Sequence, residues 1–259
     1  MGLPAALTRK LRKIAWPLLL PAATFNPMCV RYTLHKDDAA IKAIAESLSR
    51  KLSGYRNLGP RYNVTLTHTM PVVATSDQEP EIRGMMWGYV PSYERRSPPQ
   101  RMLPNAKAET ARQLGAFKSA TATRRCLVPA NGFYEWETKG KLKQPHLFTL
   151  CDQVPFAFAG IWEPATENHP ESYAILTTEP NELVAPLHHR MPVILTSETM
   201  RHWLGDAPLP DEDYRRLTAP LAAQRMQSRP VNRYVNNSRH DGPQCLEPPE
   251  VDPPELLLF

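Results

Sequence analysis

Ile41, Ile44, Ala45, Leu48 and Leu52 recur at helical spacing, with Asp37 and Asp38 ahead of them at cap positions and Gly54 behind. That pattern predicts an amphipathic helix after a short strand over Cys29–Leu34. Gly59-Pro60-Arg61-Tyr62-Asn63 reads as a loop. Short strands are expected at Pro71–Thr75 and Glu81–Val90, with a turn over Ser76–Pro80. Ser92–Pro104 is a basic, proline-rich loop, and Asn105–Thr110 leads into a short helix ending near Leu114. From Cys126 onward the pattern turns to strands: Cys126–Val128, Gly132–Glu137, Pro145–Leu150, Phe156–Trp162, Tyr173–Thr178 and Val193–Leu195, with a hairpin turn at Lys139-Gly140. Short helices are expected over Asn181–Leu187 and Ser197–Leu204, capped at Thr196 or Ser197, and a last strand over Val231–Val235.

The chain has 259 residues, with 28 prolines and 11 glycines. Proline at about twice its usual share argues for many short elements joined by turns. The expected fold class is α+β: a curved, mostly antiparallel and barrel-like β-core with a few peripheral helices. Three regions are expected. Residues 1–27 hold four bases (Arg9, Lys10, Arg12, Lys13) and no acid, followed by a short apolar run broken by Pro17 and Pro21. They read as a secretory-type leader, an organelle presequence, or an extension ahead of a true start at Met28, the last being preferred. Residues 28–239 form the folded domain. Residues 240–259, with five acids and no Lys or Arg, are expected to be a disordered tail.

The formal charge of +5 permits binding to nucleic acid without requiring it. The four cysteines, Cys29, Cys126, Cys151 and Cys245, form no C-x-x-C pair, so neither a zinc site nor a disulfide framework is expected. Neither a metal nor another cofactor is called for, and no membrane association. Cys29 follows Met28. Once exposed at an N-terminus it carries a thiol and a free amine on adjacent carbons, a pair that closes a five-membered thiazolidine on an aldehyde. Other polar groups stand out: Arg31, Asn105 with Lys107, Glu135 and His188. Singly, each has an ordinary structural reading: a helix cap for Asn105, a strand residue for Glu135, a loop histidine for His188.

Together they sit in seven ordered motifs: M-C-x-R at Met28–Arg31, P-R-Y-N at Pro60–Asn63, W-G at Trp87–Gly88, N-A-x-A-E-T at Asn105–Thr110, G-F-Y-E-W at Gly132–Trp136, T-T-x-x-N at Thr177–Asn181 and H-x-R-M-P at His188–Pro192. In these the chain resembles the SRAP family, SOS-response-associated peptidase-like proteins that process abasic sites in DNA, from about Met28 to about Tyr234. The resemblance implies a single domain that links Cys29 covalently to the aldehyde of an abasic site in single-stranded DNA. It implies catalytic roles for Cys29, Asn105, Glu135 and His188, with DNA contacts from Arg31, Asn63, Trp87, Lys107, Thr177 and Arg190. Flanking bases would stack on Trp87, Tyr134 or Trp136.

A histidine with an ordinary pKa of about 6.5 suits the proton transfers that open the abasic sugar. Three positions depart from the family pattern: Cys29 is internal as written, Lys107 stands where Arg is usual, and Val30 where Gly is common. Lysine offers a point charge instead of a two-pronged guanidinium. The partner expected is single-stranded DNA containing abasic sites, bound by a monomer in the cytoplasm or nucleus and not secreted. Other readings of the same residues are a thiol peptidase, self-cleaving or otherwise, using Cys29 and His188, and a non-catalytic single-strand-binding module if residues 1–27 are retained.

Overall fold

The computed structural model describes residues 30–54, 59–76, 79–94, 96–205 and 207–250. The leader, Met28 and Cys29 lie outside the described residues. In chain order the elements are β1 (Tyr32–Leu34), α1 (Asp37–Leu48), β2 (Arg61–Val64), β3 (Thr69–Ser76), β4 (Glu79–Trp87), β5 (Asn105–Lys107), α2 (Ala108–Ala111) and α3 (Lys118–Thr123). Then follow β6 (Arg125–Ala130), β7 (Gly132–Lys139), β8 (Leu142–Leu150), β9 (Phe156–Glu163), β10 (Ser172–Thr178), β11 (Met191–Pro192), β12 (Ile194–Leu195), α4 (Ser197–Trp203), α5 (Asp211–Thr218) and β13 (Met226–Pro230). Two 3-10 turns, Arg233–Asn236 and Pro243–Leu246, come last.

Five strands form one antiparallel sheet in the order β13-β8-β7-β1-β2. The rest form a larger sheet, β11-β10-β4-β3-β6-β9-β12. Strand β10 pairs parallel with β4 and β5 and antiparallel with β9, so this sheet curls back on its own path. The α+β architecture with a curved, mostly antiparallel β-core is therefore as expected, the curvature lying in the larger sheet.

Aromatic side chains from both sheets fill the space between them: Tyr32, Trp87, Phe133, Phe148, Phe158 and Tyr173. A second apolar layer joins the far side of the larger sheet to α1, α4 and α5 through Ile44, Trp203 and Tyr214. A third lies on the outer face of the smaller sheet, where Val231, Val235 and Cys245 cover Tyr134 and Leu147. The pleat of β7 divides these layers, because alternate side chains face opposite ways. Phe133 enters the inter-sheet core and Tyr134 the outer cluster. Gly132 is required at the start of β7, since a Cβ there would stand 2.6 Å from the Phe148 carbonyl oxygen.

Several expectations are corrected. Helix α1 stops at Leu48 with Ser49 left-handed, well short of Gly54. Asp37 and Asp38 lie in its first turn, not at its cap, where they favour the positive helix end. The loop expected at 59–63 contains β2. Asn181–Leu187 is a run of turns, opened by the Asn181 carboxamide, which accepts from the N–H groups of Leu183 and Val184 at 3.1 and 3.0 Å as a helix N-cap would. The last strand is β13, ahead of Val231, and residues 233–236 form a 3-10 turn.

The tail expected from residue 240 is folded as far as 250. The Asn232 N–H donates to the Glu247 carbonyl at 2.8 Å, Arg229 donates to the Leu246 carbonyl at 2.7 Å and Cys245 is buried, and the chain leading into the segment is anchored by Asn63. Asn63 is fully buried, and its amide donates to the carbonyls of Val235, Asn237 and His240 at 3.2, 3.0 and 2.7 Å. Arg31 adds a bond to the Val235 carbonyl at 2.8 Å, and Asp241 accepts from the Tyr62 N–H at 2.7 Å. Acidity and proline predicted disorder, but a buried polar hub outweighs composition. Asn63→Ala should orphan buried carbonyls and lower unfolding stability by about 2–4 kcal/mol. A urea midpoint that does not move would show the hub to be dispensable.

Candidate active site

Strand β7 carries Glu135 on the same side as Phe133, so the pleat points its carboxylate inward. It is 5 % exposed. His188 reaches it from the turn after β10, with Nδ1 4.0 Å from a Glu135 carboxylate oxygen. An open cleft of about 480 Å³ lies over the pair. Its walls include Val30, Arg31, Trp136, Lys143 and Asn236. The wall is braced: Trp136 Nε1 donates to Asn236 at 2.7 Å, and the Asn236 amide donates to the Lys143 carbonyl at 2.9 Å. Arg31 packs over the Trp136 ring, 5.6 Å from its centroid, while donating to Asn63.

The His188 ring has two backbone neighbours at the same nitrogen. The Arg190 carbonyl lies 2.9 Å from Nδ1, and the Arg190 N–H points at it from 3.1 Å. A bare Nδ1 accepts from that N–H, and a protonated one donates to the carbonyl. The ring can therefore gain or lose a proton without leaving its place. Burial holds its pKa below the ordinary value, partly opposed by the Arg190 backbone. The positive charges of His189 and Arg190 push it the same way as burial. The ring is accordingly neutral at pH 7 and suited to accept a proton.

The structure thus brings Arg31, Glu135 and His188 together. Other expected site residues stand elsewhere. Asn105 and Lys107 lie on β5, opposite Ile175 and Thr177 of β10, with Lys107 exposed; neither lines the cleft. Trp87 is fully buried, donates to the Pro104 carbonyl at 3.0 Å and stacks on Tyr173, so no base can reach its face. Tyr134 is likewise buried, its hydroxyl donating to the Tyr62 carbonyl. Asn63 is the buried hub already described. Thr177 is buried in β10. Arg190 is 8 % exposed and grips Glu109 with two bonds of 2.8 and 2.7 Å, while also donating to the Thr177 carbonyl. That bidentate pairing takes up the guanidinium face that a phosphate would need. In the structure these four positions, Asn63, Trp87, Thr177 and Arg190, are buried and support the fold.

Lys143 and Asn236 were missed. No motif marks them; they reach the cleft because a hairpin and a 3-10 turn meet beside Trp136. The three described cysteines are free, and none lines the cleft. Burial raises the Cys126 thiol far above its ordinary range, which makes it inert. Among the described residues no group of three or more His, Cys, Asp or Glu is placed to hold a metal. No helix among them is long and apolar enough to cross a membrane.

Because the folded His188 resists protonation, the unfolded chain binds the extra proton first as pH falls below about 6.5. Stability contributed by the neutral ring is complete above that pH and declines from there down to the lowered folded pKa. His188→Gln should flatten that decline, and NMR titration of the native ring should show a midpoint below 6.5. A midpoint at or above that value would contradict the burial.

Residues 28–238 match the family model described as SOS response associated peptidase (SRAP). Abasic site processing protein YoqW of Bacillus subtilis is 31 % identical over 194 residues, 73 % of this chain and 86 % of the relative. Abasic site processing protein HMCES of Gallus gallus is 31 % identical over 231 residues, 76 % of this chain and 68 % of the relative. A crystal structure of a protein from Bacteroides thetaiotaomicron superposes with a TM-score of 0.72 at 25 % identity, covering 85 % of this chain and 99 % of the other. With a family match that spans nearly the whole described domain, and a cleft that gathers residues from the first, fifth and seventh of its motifs, this chain belongs to the SRAP family.

Proposed function

We propose that this chain processes abasic sites by forming a thiazolidine crosslink between an N-terminal Cys29 and the ring-opened sugar aldehyde in single-stranded DNA. The observation that carries the reading is the position of Val30. It lines the cleft with Glu135 and His188, and Cys29 is its covalent neighbour. Consecutive Cα atoms are about 3.8 Å apart, so an N-terminal cysteine would be bonded directly to a wall of the cleft that holds the acid–base pair.

The chemistry follows from the groups present. His188, neutral at pH 7, takes the proton of the sugar's hemiacetal hydroxyl as the C1′–O4′ bond breaks and passes it to the departing ring oxygen, which becomes the C4′ hydroxyl while C1′ becomes the aldehyde. The Cys29 amine adds to the aldehyde carbon, and water leaves to give an imine. The thiol sulfur then adds to that same carbon and its proton passes to the nitrogen, closing the five-membered ring. The net change is the loss of one water. Glu135 takes the proton shed by the attacking ammonium and returns one to the departing hydroxyl. Arg31 and Lys143 supply positive charge along the cleft, and the partly exposed Trp136 offers a face to a flanking base. Lys107 and Asn105, on β5, hold the strand farther along. The protein acts as a monomer in the compartment that holds the genome. The same cysteine, before its amine is free, could be released by cleavage of the bond after Met28.

Two forms of the protein test the start site. One begins at Met28, whose removal exposes Cys29; the other is full length with Met28→Ala, its intact mass verified. Each meets single-stranded DNA bearing one abasic site, without reductant, and is run on a denaturing gel. The first should give a stable adduct and the second none, and Cys29→Ser in the first should abolish the stable ring. A mass that shows residues 1–28 lost would establish self-cleavage that exposes Cys29. An equally stable adduct from an uncleaved full-length chain would refute chemistry at an N-terminal cysteine.

Glu135→Gln and His188→Ala should each slow adduct formation by about 10²–10⁴-fold, with intact single-stranded DNA bound as before. Wild-type rates in both would remove the pair from the mechanism.

A further inference from the structure

Four residues separate Arg31 from His35, and four separate Asn131 from Glu135. At about 3.3 Å per residue, His35, just past β1, and Asn131, just ahead of β7, therefore belong to a second group of polar side chains about 13 Å along the strands from the cleft. There, at the far ends of these strands, is a separate pocket of about 170 Å³. Its polar lining includes His35, Lys36, Asn131, Gln227, Ser228 and Arg229, and no Asp or Glu.

Asn131 is the unusual member. It is 7 % exposed, and its Oδ1 accepts from the Lys36 N–H at 2.8 Å. That bond fixes the orientation of the amide and leaves Nδ2 as the second group. Nδ2 is buried and has no hydrogen-bond partner among the described residues. A buried donor without an acceptor costs the full desolvation of the group. The other donors are cationic or neutral. Arg229 spends one bond on the Leu246 carbonyl at 2.7 Å. Lys36 is exposed at the rim. Their joint field is felt at His35, whose pKa is held down to about 4 by burial first, then by Lys36 and Arg229. The pocket thus combines an orphaned N–H, two cations without a carboxylate among the lining residues, and the volume of a few waters.

We infer that this pocket binds a single phosphate group, held by Lys36 and Arg229 at its rim and by the Asn131 amide at its floor. The abasic-site chemistry does not use it, and the inference stands apart from that reading. The phosphate could belong to a small free compound or to a nucleic-acid backbone running past the far end of the sheet.

The test uses the full-length chain, with inorganic phosphate titrated at constant ionic strength against chloride and the Asn131 side-chain amide followed by NMR. Phosphate should shift that amide saturably and chloride should not. Lys36→Gln and Arg229→Gln should each weaken phosphate by at least about tenfold, while the same substitutions in the form that begins at Met28 leave abasic-site crosslinking unchanged. Intact single-stranded DNA lacking terminal phosphates separates the sources. If it displaces phosphate and shifts the Asn131 amide, and Arg229→Gln makes its salt dependence shallower, the ligand is a backbone phosphate. If it leaves the amide unmoved, the ligand is a free phosphate compound. Asn131→Ala removes the Lys36 cap as well, so the decision rests on the two rim variants. No saturable shift, or a shift that survives both rim substitutions, would overturn the inference.

Discussion

A carboxylate held at 5 % exposure is expensive to maintain, and the environment of Glu135 determines much of the architecture around it. The group stays in place because β7 is locked between β1 and β8, with Phe133 and Phe148 stacked 5.0 Å apart beside it. On the other side of the pleat Tyr134 and Trp136 hold the outer layer. His188 meets Glu135 only because the turns after β10 are fixed by the Asn181 carboxamide and by the Arg190–Glu109 pair. The acid–base pair therefore rests on three anchors remote from one another in sequence.

Those anchors also explain which motif residues touch the cleft and which do not. The motif P-R-Y-N supplies a hub for carbonyls, W-G a core ring, T-T-x-x-N a turn, and the arginine of H-x-R-M-P an ion pair. A short motif reports that a residue type is needed, and the reason can be a buried hydrogen bond as readily as a ligand. Motif matching alone could not separate Asn63 from Asn105, or Trp87 from Trp136. Burial separates them at once, since Trp87 is enclosed by both sheets while Trp136 lies one pleat outside.

The strands were legible wherever apolar alternation was long: β7, β8, β9 and β10 fall within three residues of their expected limits at either end. Gly140, with φ +60°, marks the β7–β8 hairpin as its dipeptide suggested. Failures cluster where a polar side chain substitutes for regular pairing. Asn131 caps α1 through Lys36 from 95 residues away, and Asn63 anchors the chain that leads into a segment whose composition suggested disorder. Such long-range carboxamide bonds leave no periodic trace. Glu135 and His188 were legible through their motifs, while their separation of 4.0 Å was not.

The segment 231–246 follows every strand among the described residues, yet Asn236 forms a wall of the cleft and Val235 closes the layer behind Tyr134. Its partners, Arg31 and Asn63, are among the earliest residues of the domain, about 170 to 200 positions away. During synthesis the nascent domain can assemble its sheets before this segment leaves the ribosome, but the cleft lacks a side until it does. A chain interrupted in translation before residue 236 would carry Glu135 and His188 in an unfinished cleft. The order of the sequence thus makes completion of the polypeptide a condition for completion of the site.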